Sequence, residues 1–352
     1  MNKLVFFQPA LPKYRDSFYE RLQKKIELEV IVYASKKDFL GVNSIETSYI
    51  KVVGSFIKIG PFFWQKGLGM PKLSKNDIVV ISGNPRIVNY MLLLILYRVV
   101  GVKTIWWGQG WTASSRGIGA RIRRLIMNLA DGVLVYTEKE CENINVVPPI
   151  VGLNNGLDLN EIIDIKDKVS IRKLNSPLSL LFIGRLTNKS GIENIINTII
   201  DLNVDINLTI IGDFSGFMAS FPELYNESLM SNRVSWLGAI YEEKGIAAVA
   251  KDCDYFIYGG SVGLSLIHAF CYYLPAIVHD NEKNHMPEFA AFQEGYNGFS
   301  FKENDDDSLS NLLLKLSGKE NYKLRLNSRM TVEKTFNIND MVERFVSLKN
   351  KI

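Results

Sequence analysis

The run LLFIGRLTNKSGIENIINTII, residues 180–200, sets two cations just behind a glycine. The apolar strand pattern ends at Ile183, Gly184 turns the chain, Arg185 and Lys189 project from the loop, and a helix is expected from about Gly191. A guanidinium fork, an ammonium group and the free N–H groups of a helix start favour an anion, and a diphosphate fits such a set. The plainer alternative is a solvated loop with two surface cations. A second run, GGSVGLSLIHAF, residues 259–270, raises the same chemistry. Gly259 and Gly260 turn the chain after the strand DYFIY, a helix starts near Gly263, and Pro275 stops it. At about 100° per residue, Leu264, Ile267, Cys271 and Leu274 fall on an apolar face, while Ser265, His268 and Tyr272 fall on another. His268 is therefore off the core stripe and beside a hydroxyl; a satisfied structural histidine is the alternative. A third run, HDNEKNHMPEFAAFQEGYNGFSF, places Glu288 in a loop after a strand end. A carboxylate there is set to bind sugar hydroxyls, or else to stabilise a helix start behind Pro287.

Other constellations carry less. All three histidines lie between 268 and 285, which leaves no Ser-His-Asp or Cys-His arrangement. GQGWTA, residues 108–113, matches a dinucleotide-binding pattern, but WTASSRGIG does not read as an immediate helix and no acidic residue follows at the required distance. A nicotinamide-dependent oxidoreductase is the reading that would need it. The DCD at 252–254 and the DDD at 305–307 read as structural, so no metal site is expected. The cysteines Cys141, Cys253 and Cys271 are scattered, which argues against a disulfide frame or a zinc site and for a reducing compartment.

Elements of one kind position all of these groups. KLVFFQ, LEVIVYA, DIVVISG, VKTIWWG and GVLVYTE read as five strands, with helical stretches such as SFYERLQKKI and VNYMLLLILYRVV between them. After a Pro- and Asn-rich break the rhythm restarts with LSLLFIG, INLTIIG, RVSWLG, DYFIYGG and PAIVHD. This is the pattern of two parallel α/β sheets, joined near 165–177. The expected division is 1–170, 171–330, and a last helical segment at 331–352 that could cross back to the first domain. With 352 residues, two cores are also the natural expectation from length. The net charge of +4 is too small to argue for nucleic acid. The amino-terminal MNKLVFFQPALP reads as a first strand and YMLLLILYRVV, broken by Arg98, is too short to span a bilayer. A cytoplasmic location is expected, with any membrane contact peripheral. Such contact is suggested by SSRGIGARIRRLIMNLADG, where Arg116, Arg121, Arg123 and Arg124 adjoin Ile122, Leu125 and Ile126, and by the aromatics and lysines of IKIGPFFWQKGLGM. A solvated helix face is the alternative.

In order and spacing, FIGRLTNKSGIENII, LTIIGD, RVSWLGAI, GGSVGLSLIHAF…LPAIVHD and MPE…EGYNGFSF resemble the carboxy-terminal domain of retaining family-4 glycosyltransferases of the GT-B fold. The likeness is close over about 180–320; in the first half, PALPKYRDSFYERL resembles the first loop and helix of bacterial polysaccharide-synthesis members. The resemblance implies an α/β GT-B protein, two Rossmann-like doubly wound domains facing each other across a cleft. It implies a retaining, metal-independent transferase that moves a sugar from a UDP- or GDP-linked donor to a glycan or polyprenyl-linked acceptor in surface polysaccharide synthesis, with no separate cofactor. Arg185 and Lys189 would hold the donor diphosphate and stabilise the leaving charge; the family lysine usually stands directly before the glycine, where this chain has Ser190. Gly184, Gly263, Leu264, Ser265, His268 and Glu288 would line the donor site, and Tyr14, Arg15 and Gln109 the acceptor side. The family signature of two glutamates separated by seven residues falls on Gly260 and His268, so both carboxylates are replaced. Relatives often carry a histidine where this chain has Gln109, which positions a hydroxyl but moves no proton at neutral pH. The two replacements motivate a rival reading, a catalytically weak nucleotide-sugar-binding or scaffold protein of a polysaccharide assembly complex.

Overall fold

A computed structural model describes residues 2–36, 39–40, 42, 44–110, 117–166, 177–187 and 189–352. The chain divides into two units, Met1–Asp158 with Ile338–Ile352, and Leu159–Asn337.

The first unit contains β1 (Lys3–Phe7), α1 (Asp16–Lys25), β2 (Glu29–Ser35), β3 (Ile50–Val53), the hairpin β4 (Phe56–Ile59) and β5 (Phe62–Gln65), then β6 (Ile78–Ser82), α2 (Val88–Val99), β7 (Lys103–Trp107), α3 (Ile118–Met127), β8 (Gly132–Val135), α4 (Glu138–Glu142) and β9 (Ile150–Gly152). Seven of these strands form one parallel sheet in the order β3-β2-β1-β6-β7-β8-β9. Parallel strands covered on both faces need apolar residues at every position. β1 shows how they divide: Leu4 and Phe6 join the core cluster on one face, Val5 and Phe7 the cluster on the other.

The second unit contains β10 (Leu178–Ile183), α5 (Ile192–Asp201), β11 (Ile206–Ile211), α6 (Ser215–Ser220), α7 (Pro222–Met230), β12 (Val234–Gly238), α8 (Glu243–Ala250), β13 (Tyr255–Tyr258), α9 (Leu264–Cys271), β14 (Ala276–His279), β15 (Gly298–Phe301), α10 (Asp306–Leu316) and α11 (Tyr322–Lys334). Its parallel sheet runs β12-β11-β10-β13-β14-β15. α12 (Ile338–Lys349) closes the chain and belongs to the first unit, where Phe345 packs against Phe6 and Phe18 with ring centroids 5.8 and 6.0 Å apart.

The expected α/β architecture is present, with three added strands at sheet edges: β3 and β9 in the first sheet and β15 in the second. Each is only three or four residues long, too short for alternation to register, and β15 opens on Gly298. The units part between Asp158 and Leu159, ahead of the expected 170/171 boundary. Part of the reason is that Asp164 accepts a hydrogen bond from the Tyr273 hydroxyl at 3.1 Å, within the second unit. Residues 167–176 lie outside the described residues. The segment 331–352 likewise divides: α11 stays with the second unit, because Arg325 and Arg329 donate to the carbonyls of Cys253 and Cys271 at 2.7 and 2.8 Å. Arg329 thereby sets a cation on the carboxyl end of α9, where the helix dipole favours it.

In both sheets the strand order reverses direction once, between β1 and β6 and between β10 and β13. Ligand crevices of open parallel sheets form outside the carboxyl ends of the strands at that point. The loops that follow β10 and β13 are the two glycine-bearing runs singled out in the sequence.

Candidate functional site

In the second unit those two loops lie backbone against backbone. Ser261 donates its N–H to the Lys189 carbonyl at 3.0 Å. Gly191, the left-handed N-cap of α5 with φ 61°, has no room for a side chain, since a Cβ there would stand 2.5 Å from the Gly259 carbonyl carbon. A Cβ on Gly260 would stand 2.1 Å from the Lys189 carbonyl oxygen. Gly260 is thus occupied by backbone packing, which explains why this chain has no carboxylate at that place. Gly184 is equally close to the α9 start: its Cβ would lie 3.4 Å from the Ser265 hydroxyl and 3.3 Å from the Tyr258 ring. The structure therefore gathers Gly184, the Arg185–Lys189 loop, and Gly263, Leu264 and Ser265 in one cradle. No side chain caps α9, which leaves its first-turn N–H groups without a side-chain partner. Arg185 and Lys189 are exposed and, among the described residues, neither is in an ion pair. Burial raises the Tyr258 phenol, and the Arg185 charge beside it pulls the other way.

His268 has a partner that the motif alone did not reveal. Its Nε2 lies 3.0 Å from Glu243 Oε2 at the start of α8, and the Tyr272 hydroxyl donates to the same oxygen. A carboxylate thus stands behind the position where the family keeps one, delivered from 25 residues upstream. Tyr272 shares the His268 side of α9 as expected, yet it is fully buried, because Glu243 satisfies its phenol. Burial, reinforced by that bond, raises the Tyr272 hydroxyl well above its ordinary range.

The other two histidines hold the glycine loop. His285 Nδ1 accepts the Val262 N–H at 3.2 Å, and its Nε2 lies 2.9 Å from the His279 carbonyl, to which it donates. The backbone adds a bond from the Met286 N–H to the Val262 carbonyl at 3.0 Å. His279, His285, Phe289 and Phe292 form one stack, with successive centroids 3.8, 4.0 and 5.1 Å apart. Burial depresses His285 to about 4 and lowers His279 as well, so both rings are neutral at pH 7. Glu288 is buried in a short 3-10 turn, Pro287–Ala291, and its Oε2 is 3.6 Å from where a Gly263 Cβ would sit. It therefore borders the start of α9, at the edge of the cradle.

The first unit has its own pocket, of about 190 Å³, at the reversal between β1 and β6. Gln8, Tyr14, Arg15, Ser82, Trp107 and Tyr136 contribute to its wall. The Arg15 guanidinium lies over the Trp107 ring at 5.0 Å and the Tyr14 ring at 5.4 Å, and donates to Asn155 Oδ1 at 2.9 Å. Tyr14 and Arg15 are thus brought to one place; Gln109, two residues beyond β7, does not line the pocket.

The remaining candidates resolve into scaffold. In the GQGWTA run, the Gly110 N–H donates to Glu140 Oε1 at 2.9 Å; residues 111–116 lie outside the described residues, and the next described helix is α3, from Ile118. Asp254 accepts the Ser179 N–H at 2.9 Å and ties β10 to β13. Asp305 caps α10 through the Ser308 N–H at 2.9 Å. Burial pushes the Cys253 and Cys271 thiols up to about 12, which leaves them inert as nucleophiles. Of the α3 arginines, Arg121 and Arg124 are exposed, but Arg123 turns inward and feels Glu140; Arg116 lies outside the described residues. Among the described residues no helix is long and apolar enough to cross a membrane.

Comparison with known proteins agrees with this geometry. Residues 164–331 match the family model "Glycosyl transferases group 1". An uncharacterized glycosyltransferase of Methanocaldococcus jannaschii is 27% identical over 246 residues, covering 66% of this chain and 61% of that protein. The match thus spans less than two thirds of that relative. HepE of Anabaena, solved in complex with UDP, superposes with a TM-score of 0.70 at 12% identity over 100% of both chains. The lipopolysaccharide outer core galactosyltransferase WaaB superposes with a TM-score of 0.70 at 14% identity over 99% of both chains. Residues 164–331 of the second unit thus match a glycosyl transferase domain, and the chain shares the GT-B fold of these solved glycosyltransferases.

Proposed function

We propose that the protein transfers a sugar, with retention and without a metal, from a nucleotide diphosphate sugar to a glycan or lipid-linked glycan of a surface polysaccharide. The observation that carries this reading is the cradle of the second unit: two exposed cations, Arg185 and Lys189, opposite an uncapped α9 start at the reversal of the sheet. The donor diphosphate takes the Arg185 fork, the Lys189 charge and the N–H groups of Gly263, Leu264 and Ser265. Glu288 binds sugar hydroxyls, and His268, held by Glu243, binds the ribose. As the bond from the anomeric carbon to the diphosphate breaks, the acceptor oxygen bonds to that carbon from the same face. The acceptor proton passes to the departing diphosphate oxygen, and Arg185 and Lys189 stabilise the charge that develops there. UDP is favoured as the nucleotide, since the HepE structure holds it. Calorimetric titration with UDP and GDP, followed by a donor-turnover assay with the better sugar nucleotide, tests this. Binding of neither nucleotide would end the proposal; tight binding without hydrolysis or transfer would favour the scaffold reading, which the blocked position at Gly260 keeps in view.

The acceptor reading extends to the first unit and to a membrane surface. α2 exposes Leu92, Ile95, Leu96 and Val99 at helical spacing, and α3 exposes Ile118, Ile122 and Leu125 in the same way, with exposed Leu129 just past its end. The hairpin β4–β5 adds Ile59, Phe62 and Trp64. All three elements cover the same face of the first sheet: α2, Met127 of α3 and Phe63 of the hairpin share one core cluster. Outward apolar stripes flanked by Lys58, Arg98, Arg121 and Arg124 suit an anionic lipid surface, where a polyprenyl-linked acceptor would be presented.

A further inference from the structure

The pocket of the first unit offers donors and lacks acceptors to match them. Gln8 Nε2, Arg15 Nη1 and Trp107 Nε1 are all buried nitrogen donors without a hydrogen-bond partner, and all three belong to residues that line this one pocket. Buried polar groups are normally paired, and a buried charge left alone is costly. Among the described residues no carboxylate pairs with Arg15; the groups that face it are the phenols of Tyr14, Tyr19 and Tyr136 and the amide of Asn155. The nearest acid in sequence, Asp16, accepts from the Tyr49 hydroxyl. A guanidinium clamped on the Trp107 face, with a free Nη1 beside two other free N–H donors, is a preorganised receptor for oxygen acceptors carrying negative charge.

We propose that this pocket binds an oxyanion carried by the acceptor, so that the acceptor class is an acidic glycan or a phosphate-bearing lipid-linked glycan. The proposal rests on the glycosyltransferase reading only in naming the ligand an acceptor; the three unmatched donors call for an oxyanion whatever the second-unit cradle binds. A carboxylate and a phosphate share the chemistry, because both present the acceptor oxygens that Arg15, Gln8 and Trp107 leave unmatched.

The chain has five tryptophans, so the indole N–H signals of protein labelled with 15N-tryptophan are resolvable, and Trp107→Phe identifies the one in the pocket. Glucuronate, pyrophosphate and glucose are titrated separately into the full chain. The expected result is a saturable shift of the Trp107 signal with at least one of the two anions and none with glucose. A response to glucuronate alone marks a sugar acid, to pyrophosphate alone a lipid-diphosphate headgroup, and to both an oxyanion in general. Arg15→Gln should weaken the response at least about tenfold, while Arg185→Ala leaves it unchanged. Gln8→Glu sets a carboxylate among the same donors and should abolish the response even if Arg15→Gln proves poorly folded. No Trp107 shift with either anion, an equal shift with glucose, or a response that survives Arg15→Gln would overturn the proposal. A failure of UDP to bind, measured separately, would remove the donor reading and leave this result standing.

Discussion

Gly260 and Lys189 are locked together: a Cβ on the first would stand 2.1 Å from the carbonyl oxygen of the second. The backbone of one loop thereby fills the place of a side chain on the other. Neither loop yields without breaking the bond from the Ser261 N–H to the same carbonyl. Gly260→Ala should therefore destabilise the second unit by about 1–3 kcal/mol and weaken nucleotide binding by moving Lys189. Thermal denaturation and UDP titration read the two effects. An unchanged melting temperature with full UDP affinity would show that the loops separate freely.

The diphosphate clamp gives the second prediction. Arg185 and Lys189 are not consumed by ion pairs among the described residues, so their removal should leave the fold intact. Arg185→Ala should lower donor turnover at least about tenfold, a loss of about 1.4 kcal/mol of transition-state stabilisation, with the melting temperature unchanged. Lys189→Ala should act in the same direction. Turnover near the wild-type rate in Arg185→Ala would remove the residue from the donor site.

Glu243 gives the third. If His268 grips the nucleotide only when Glu243 orients it, the single variants His268→Ala and Glu243→Ala should each raise the donor KM, and the double variant should be no worse than either. Such non-additivity is the signature of groups acting as one unit. Glu243→Ala should also cost about 0.5–1.5 kcal/mol of stability, because it leaves the buried Tyr272 hydroxyl only its longer bond to the backbone carbonyl of residue 243, at 3.2 Å. Additive effects on KM would show that His268 acts alone.

The boundaries of these loops were legible from sequence, whereas their partners were not. Ile183, Gly184 and Gly191 fall where the apolar run and the glycines place them, because strand periodicity and the freedom of glycine are local properties. Glu243 is separated from His268 by a strand and two loops, and nothing in either local pattern links them. Helical projection put Tyr272 off the apolar face with Ser265 and His268, and it cannot see the carboxylate that lets a phenol be buried. For the same reason the sequence grouped Arg123 with Arg116, Arg121 and Arg124, although Arg123 is part-buried and feels Glu140. In the first unit, Tyr14 and Arg15 were found through a resemblance, while Gln8 and Trp107, which complete the pocket, carried no motif.

The neutral histidines set a pH dependence. Burial holds His285 at about 4 and His279 below its ordinary value, so the unfolded chain binds protons at a higher pH than the native protein does. Their contribution to stability is complete above about pH 6.5 and falls as the pH drops towards about 4, with a slope of at most about 1.4 kcal/mol per pH unit for each group. Between pH 7 and 5 the melting temperature should therefore decline because the unfolded chain takes up protons, whereas UDP affinity should fall only as the pH approaches 4, where protonated His285 can no longer accept the Val262 N–H. His285→Phe keeps the ring stack and should flatten part of the decline. A melting temperature constant from pH 7 to 5 in the wild type would contradict the assignment of neutral buried rings.

Membrane contact gives the last prediction, and the outward face of α2 decides it more sharply than the arginines do. Val99 is 77% exposed and Leu96 46% exposed on a helix whose opposite face is buried against the first sheet. An apolar stripe of this kind is stable in water only at a cost, and an acyl boundary removes that cost. Vesicles of phosphatidylglycerol should pellet the protein at low salt, and phosphatidylcholine vesicles should not. Arg121→Glu with Arg124→Glu should abolish pelleting by removing the attraction to anionic headgroups. Leu96→Glu should weaken it while leaving soluble-donor hydrolysis and the melting temperature unchanged, because the side chain lies outside the core. Equal pelleting by neutral and anionic vesicles would point to aggregation through the stripe, and no pelleting at all would leave the stripes without a lipid role.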